Sequence, residues 1–157
     1  MFSYILCATD LSPRSDEALR VAVHMAAKYA ARLTILNVHE EFMDKEEMVM
    51  LRVSVEKMQE RFREIALKCK QQMQELVTAV GVEDIEVEYH IREGKPEDVI
   101  LKIAHDMAGE LQEPNSPLIV IGANARESLM ERILGTVAEH VVRHAPCPVL
   151  VIPYIVE

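Results

Sequence analysis

The sequence predicts an α/β fold: an open, doubly wound, five-stranded parallel sheet with helices on both faces and strand order 3-2-1-4-5. Three observations carry this. Five short apolar runs recur along the 157 residues. Helical stretches lie between them. Four of the five runs are nearly continuous in apolar residues, as strands covered on both faces are. Alternating strands and helices give a parallel sheet with right-handed crossovers.

The first run spans Ser3 to Thr9. Ser12-Pro13 follows, an N-cap and a proline placed for a first helical turn. The helix then carries Ala18, Ala22, Met25, Ala26 and Tyr29 at helical spacing. The second run is Leu33 to Val38. Beyond it comes an acidic stretch, Glu40-Glu41, Asp44 and Glu46-Glu47, read as a solvated loop or a helix start where the dipole favours carboxylates. A regular stripe then runs Leu51, Val55, Met58, Phe62, Ile65, Cys69, Met73, Leu76 and Val80, and Gly81 stops it. Its steps of three and four residues predict one long core-facing helix from about Glu46, whose first turns are open to a loop reading.

The third run, Ile85 to Ile91, alternates. Ile85, Val87, Tyr89 and Ile91 share one face, and Glu86, Glu88 and His90 the other, which predicts a half-buried or edge strand. A helix with Pro96 in its first turn runs from about Lys95 to Met107. The polar stretch from Gly109 to Pro117 predicts an exposed loop. The fourth run is Leu118 to Gly122. A helix before His144, ended by Pro146, leads to the fifth run, Pro148 to Ile152. No repeat or linker signal divides the chain, so residues 1–157 read as one domain.

Composition narrows the function classes. Half of the residues are apolar, enough to build a core. A net charge of −9 argues against a nucleic-acid partner, which needs a basic face. The three cysteines, Cys7, Cys69 and Cys147, have no metal or redox spacing and read as apolar filler in a reducing compartment. The segment Met1 to Asp10 has no basic region followed by a long apolar run, so it reads as neither a signal peptide nor a membrane span. A cytoplasmic protein is the expectation.

In such a sheet a ligand crevice forms where the winding reverses, at the carboxyl ends of strands one and four. Those ends carry Ala8-Thr9-Asp10 and Ile121-Gly122-Ala123-Asn124-Ala125. Asp10 reads first as a ligand contact, given its crevice position, and second as a cap on the following turn. Gly122 and Gly135-Thr136 flank a strand–loop–helix segment in which backbone amides can close on a phosphate. Thr136 suits a helix cap behind Gly135 as well. Arg126 is the nearest cation in sequence, and reads first as a solvated helix residue. The chain has no Gly-x-x-x-x-Gly-Lys-Ser/Thr loop and no Gly-x-Ser-x-Gly elbow. His140 and His144 share a helix face without an evident third ligand, so no metal site is expected.

Taken together, these motifs resemble the universal stress protein family. The resemblance runs from Tyr4-Ile-Leu-Cys-Ala-Thr-Asp10 through Leu33 to Val38 and Gly94 to Ile100. It is strongest from Leu118 to Ile152. It implies a Rossmann-like fold. ATP-binding members carry glycine, two residues, glycine, nine residues, glycine, then serine or threonine. Gly122, Gly135 and Thr136 match that pattern, whereas Ala125 stands at its second glycine. The resemblance implies that Asp10 and Val38 border adenine and ribose, and Ala8 and Thr9 beside Asp10 join the candidate cofactor-binding residues. It implies that Gly122, Asn124 and Ala125 approach the phosphates, with Gly135, Thr136 and Val137 on the other side; Ile121 and Arg126 join the candidate cofactor-binding residues. ATP, alone or with magnesium or manganese, is the implied ligand, and Ala125 is expected to weaken it by up to about tenfold. A homodimer through Cys147 to Ile152 is implied too. Two other readings stay open: an interaction protein without a nucleotide, and a slow ATP hydrolase.

Overall fold

The structure, a computed structural model, describes residues 1–40, 45–123 and 134–154. Among them, five strands form one parallel sheet in the order β3-β2-β1-β4-β5. The strands are β1 Phe2–Ala8, β2 Arg32–His39, β3 Val87–Glu93, β4 Ser116–Gly122 and β5 Val149–Ile152. The helices are α1 Asp16–Tyr29, α2 Lys45–Met50, α3 Val55–Val80, α4 Pro96–Glu110 and α5 Thr136–His144.

Two apolar layers sandwich the sheet, as the continuous apolar runs require. On one face Ile5, Cys7, Leu33, Ile35 and Val120 pack with Ala18, Leu19, Ala22 and Val23 of α1 and with Met73 and Val77 of α3. On the other, Leu6, Ala8, Leu36, Ile119 and Ile121 meet Ile100 and Ala104 of α4 and Ala138 and Val141 of α5. Successive strand residues serve opposite layers, so no position on β1 beyond Tyr4 is spare. Burial pushes the Cys7 thiol up to about 12. It raises those of Cys69 and Cys147 as well, the latter against the opposing effect of a backbone hydrogen bond at Ile119.

The long stripe is interrupted. Arg52 takes a left-handed φ of 51°, and α3 starts afresh at Ser54, whose hydroxyl accepts from the Lys57 amide. Burial grows along α3. Val55 is 62% exposed, Phe62 and Ile65 are half-buried, and Met73 is fully buried. Leu51, between the helices, is 63% exposed, and Val49 and Met50 beside it are also exposed. The stripe therefore marks a core face only in its second half. Gly81 ends α3 at φ 74°, the left-handed turn that glycine adopts without strain.

Three smaller expectations are corrected. Ser12 holds the N-cap position and Pro13 the start of a 3-10 turn, Pro13–Ser15, and not of α1 itself; the Ser12 hydroxyl makes no capping bond there and donates instead to Asp10. β3 begins at Val87, since Ile85 packs in the core before the strand pairs. α4 continues through Gly109 to Glu110, and β4 begins at Ser116. Of the acidic stretch, Glu46 and Glu47 sit exposed in the first turn of α2, while Glu41 and Asp44 lie outside the described residues. No helix among the described residues is long and apolar enough to cross a membrane.

The burial gradient along α3 has a measurable consequence. Met73→Ala, at a fully buried position, should cost about 2–5 kcal/mol in chemical denaturation. Leu67→Ala, on the same helix but 69% exposed, should stay within about 0.5 kcal/mol. Equal costs at both positions would contradict this packing.

Candidate functional site

The winding reverses between β1 and β4, and a cleft of about 200 Å³ opens there. The β1 end supplies Ala8, Thr9 and Asp10, and the turn after it Arg14 and Ser15. β2 supplies Leu36 and Val38, and α4 supplies Pro96 and Ile100. The β4 end supplies Ile121, Gly122 and Ala123. The first turn of α5 closes the cleft with Thr136, Val137 and Ala138.

Of the residues expected from sequence, Ala8, Thr9, Asp10, Val38, Ile121, Gly122, Thr136 and Val137 meet at this cleft. Gly135 immediately precedes the α5 residues that line it. Asn124, Ala125 and Arg126 lie outside the described residues. Sequence reasoning missed Arg14, Ser15, Leu36, Pro96 and Ile100. For Arg14 a signal existed: a cation four residues past the strand-end Asp10, in an acidic chain.

A hydrogen-bond network fixes the β1 end. The Thr9 amide donates to the Leu36 carbonyl at 2.9 Å, and the Asn37 side-chain amide donates to the Thr9 carbonyl at 2.9 Å. Ser15 spends its one proton on the Ser12 carbonyl, at 2.9 Å. In the 2.7 Å contact between the Thr9 and Ser15 hydroxyls, Thr9 is therefore the donor. Thr9 Oγ1 also accepts the Leu11 amide at 3.0 Å. Leu11 is held at φ 60°, unusual for a branched residue. Gln72 of α3 reaches its carbonyl at 3.2 Å. Asn37 is 3% exposed, and its Oδ1 has no partner among the described residues.

Asp10 points its carboxylate back on the turn, as one of the two sequence readings held. Its Oδ1 accepts the Ser12 amide at 2.9 Å and the Ser12 hydroxyl at 2.6 Å. Partial burial on its own would push the carboxyl up. The hydrogen bonds that Oδ1 accepts from the Ser12 hydroxyl and amide outweigh it and hold the group below the usual carboxylate range. Asp10 is thus ionised at neutral pH. Its charge adds to the effect of burial in raising the carboxyl of Asp16.

The two glycines differ. A Cβ on Gly122 would lie 3.7 Å from the Arg14 carbonyl oxygen and 3.9 Å from Ala18 Cβ, ordinary contact distances. The protein itself does not demand glycine there. Gly135 does require it: φ 88° and ψ 149° is a conformation essentially confined to glycine. Gly135, not Thr136, is the N-cap of α5, and it offers no side-chain hydrogen bond. The first amides of α5 thus lack intrahelical partners. They carry the positive end of the helix dipole to the cleft. His140 and His144 lie farther along, exposed, with rings stacked 4.3 Å apart and His144 Nδ1 bonded to the His140 carbonyl. Stacked rings do not aim their nitrogens at a common point.

Comparison with known proteins adds the following. A model of the universal stress protein family matches residues 1–153. A Staphylococcus aureus (strain USA300) relative named as a universal stress protein is 32% identical over 152 residues, covering 96% of this chain and 84% of that one. Universal stress protein UspA from Lactobacillus plantarum superposes with a TM-score of 0.73 at 25% identity, covering 96% and 97% of the two chains. The fold also matches a universal stress protein in complex with cAMP, with a TM-score of 0.66 at 19% identity and coverage of 98% of each chain.

The bonding of Asp10 sets a pH dependence. A carboxyl lowered in the folded state stabilises above its unfolded pKa, and that contribution is lost as pH falls through the folded value. Asp10→Asn should therefore melt below wild type at pH 7. The gap should close as pH drops below about 4, near the unfolded carboxylate pKa. A gap constant between pH 7 and pH 2 would rule this out.

Proposed function

This chain belongs to the universal stress protein family, and on that premise we propose that it is one domain whose cleft binds an adenine nucleotide, ATP above all, as a cytoplasmic regulatory module. The observation that carries this is the composition of the cleft. An apolar recess of Leu36, Val38, Pro96 and Ile100 faces the uncapped first turn of α5. A flat apolar base suits the first, and a phosphate suits the second. The volume, about 200 Å³, falls below the roughly 300–1,000 Å³ typical of pockets for drug-sized ligands. The cleft would then enclose the base and sugar and leave the phosphates at its mouth. Ionised Asp10 disfavours phosphate at its own end, and accepts hydrogen bonds from neutral hydroxyls such as those of ribose.

The residues present fit the nucleotide. Gly135 shapes the backbone so that the α5 amides are open, and Thr136 adds a hydroxyl at the first helical position. Magnesium or manganese, if bound with the phosphates, would offset their charge in an acidic protein. No lysine of the nucleotide-hydrolase type stands among the described residues lining the cleft, so a switch fits better than rapid turnover. The cAMP complex of a relative with this fold supports a nucleotide as the ligand class.

We further propose that the module is a homodimer paired through β5. That strand lies at the end of the sheet order, bonded to β4 alone among the described strands, with Val149 to Ile152 only half-buried. An apolar edge with free backbone groups invites pairing, and a twofold contact closes it.

Two experiments test these proposals. ATP should raise the melting temperature in a concentration-dependent way, by an amount that follows mass action, and nucleotide should copurify with the folded protein. Gly135→Ala should cost about 1–3 kcal/mol of stability and shrink the ATP shift. No shift at millimolar ATP with magnesium or manganese would sink the nucleotide reading and favour an interaction protein. In sedimentation, the wild type should run as a dimer, and Leu150→Lys as monomer or insoluble material. A wild-type monomer at high micromolar concentration would end the dimer proposal.

A further inference from the structure

The cleft has a charge pattern that its apolar shape conceals. Among the described residues that line it, Arg14 is the one cation and Asp10 the one carboxylate. The remainder are apolar or neutral. The chain as a whole carries a net charge of −9, and that field opposes the approach of a polyanion. A cation at the cleft is the local feature that can reverse the opposition.

The backbone carrying Arg14 is held from several sides. Pro13 fixes the residue before it. The Ser15 amide donates to the Ser12 carbonyl at 3.0 Å, and the Ser15 hydroxyl is bonded to Thr9 and Ser12. The Arg14 carbonyl lies beside Gly122, 3.7 Å from where a Cβ would stand. The Arg14 backbone therefore stands beside the carboxyl end of β4, and the residue lines the cleft with Gly122 and Ala123. A guanidinium meets phosphate oxygens in a planar, two-point geometry that a lysine cannot reproduce.

We infer that Arg14 reads the phosphate charge of the bound nucleotide, so that this cleft favours nucleoside di- and triphosphates over monophosphates and nucleosides. The inference rests on the nucleotide reading above and adds to it a named residue and a preference among ligands. Arg126, the nearest cation in sequence, lies outside the described residues; among the described residues Arg14 is the cation at the cleft.

Calorimetric titration of the intact protein with adenosine, AMP, ADP and ATP, at fixed salt and magnesium, tests it. In the wild type, affinity should climb with phosphate number. Arg14→Gln should weaken ATP by about ten- to a hundredfold, the range for a hydrogen bond to a charged group, and leave adenosine within about twofold. Arg14→Lys should fall between them. A thermal melt of each variant without ligand identifies any that has merely unfolded. An unchanged ATP-to-adenosine ratio in Arg14→Gln, with ATP still binding, overturns the role of Arg14 and leaves the nucleotide reading intact. If the wild type binds neither ATP nor adenosine, the nucleotide reading fails. Arg14 is then judged with inorganic tripolyphosphate: binding by wild type that Arg14→Gln abolishes upholds the phosphate role, and no binding ends it.

Discussion

The handedness of parallel crossovers is the constraint from which the rest of this structure follows. α1 and α3 carry the chain outward from β1 to β2 to β3 and occupy one face of the sheet. To return with the same hand, the chain must cross over the opposite face, where α4 and α5 lie. β4 thus lands on the free side of β1. The helices that follow β1 and β4 lie on opposite faces, and a gap opens between the two strand ends. No side chain has to carve the cleft; the path of the backbone leaves it open.

What the side chains do is keep the gap in shape. Thr9 is the hub. Its amide, carbonyl and hydroxyl are all bonded, to β2, to Asn37 and to the 3-10 turn. Asn37 shows what this arrangement costs, because its Oδ1 is buried without a partner among the described residues. An unmet acceptor of that kind costs on the order of 1–3 kcal/mol. Holding Leu11 in a left-handed conformation adds strain at the same loop. Both features belong to the network around Thr9, which itself lines the cleft, and the apolar layers beneath offset them.

Much of the fold was legible in the sequence because burial on both faces writes itself as a continuous apolar run. β1, β2, β4 and β5 were read that way to within two residues. The errors share one cause. Periodicity records which residues are alike, not whether a partner stands opposite. Leu51 and Val55 keep step with Met73, yet they are 63% and 62% exposed, and a left-handed Arg52 breaks the helix between. Ile85 belongs to the core without belonging to a ladder. At the cleft, strand ends and glycines were visible because topology alone locates them. Pro96 and Ile100 were not, because they arrive from a helix whose inward face depends on tertiary packing. Capping was the least legible feature. Ser12 and Thr136 both had the right chemistry for caps, and the backbone gave the position at α5 to Gly135 instead.

The thiol of Cys7 lies in the middle strand, fully buried, with its ionisation suppressed to about 12. A group so placed is invisible to alkylating reagents while the sheet is closed, since the thiolate that reacts is scarce and shielded. Its modification becomes a clock for opening of the central strands, and the count begins only when β1 separates from its neighbours. Cys147, half-buried beside the edge strand, would be modified first, through far smaller excursions. The chain thus carries two natural time stamps, one for its margin and one for its centre, and their ratio measures whether the protein comes apart from the edge inward or all at once.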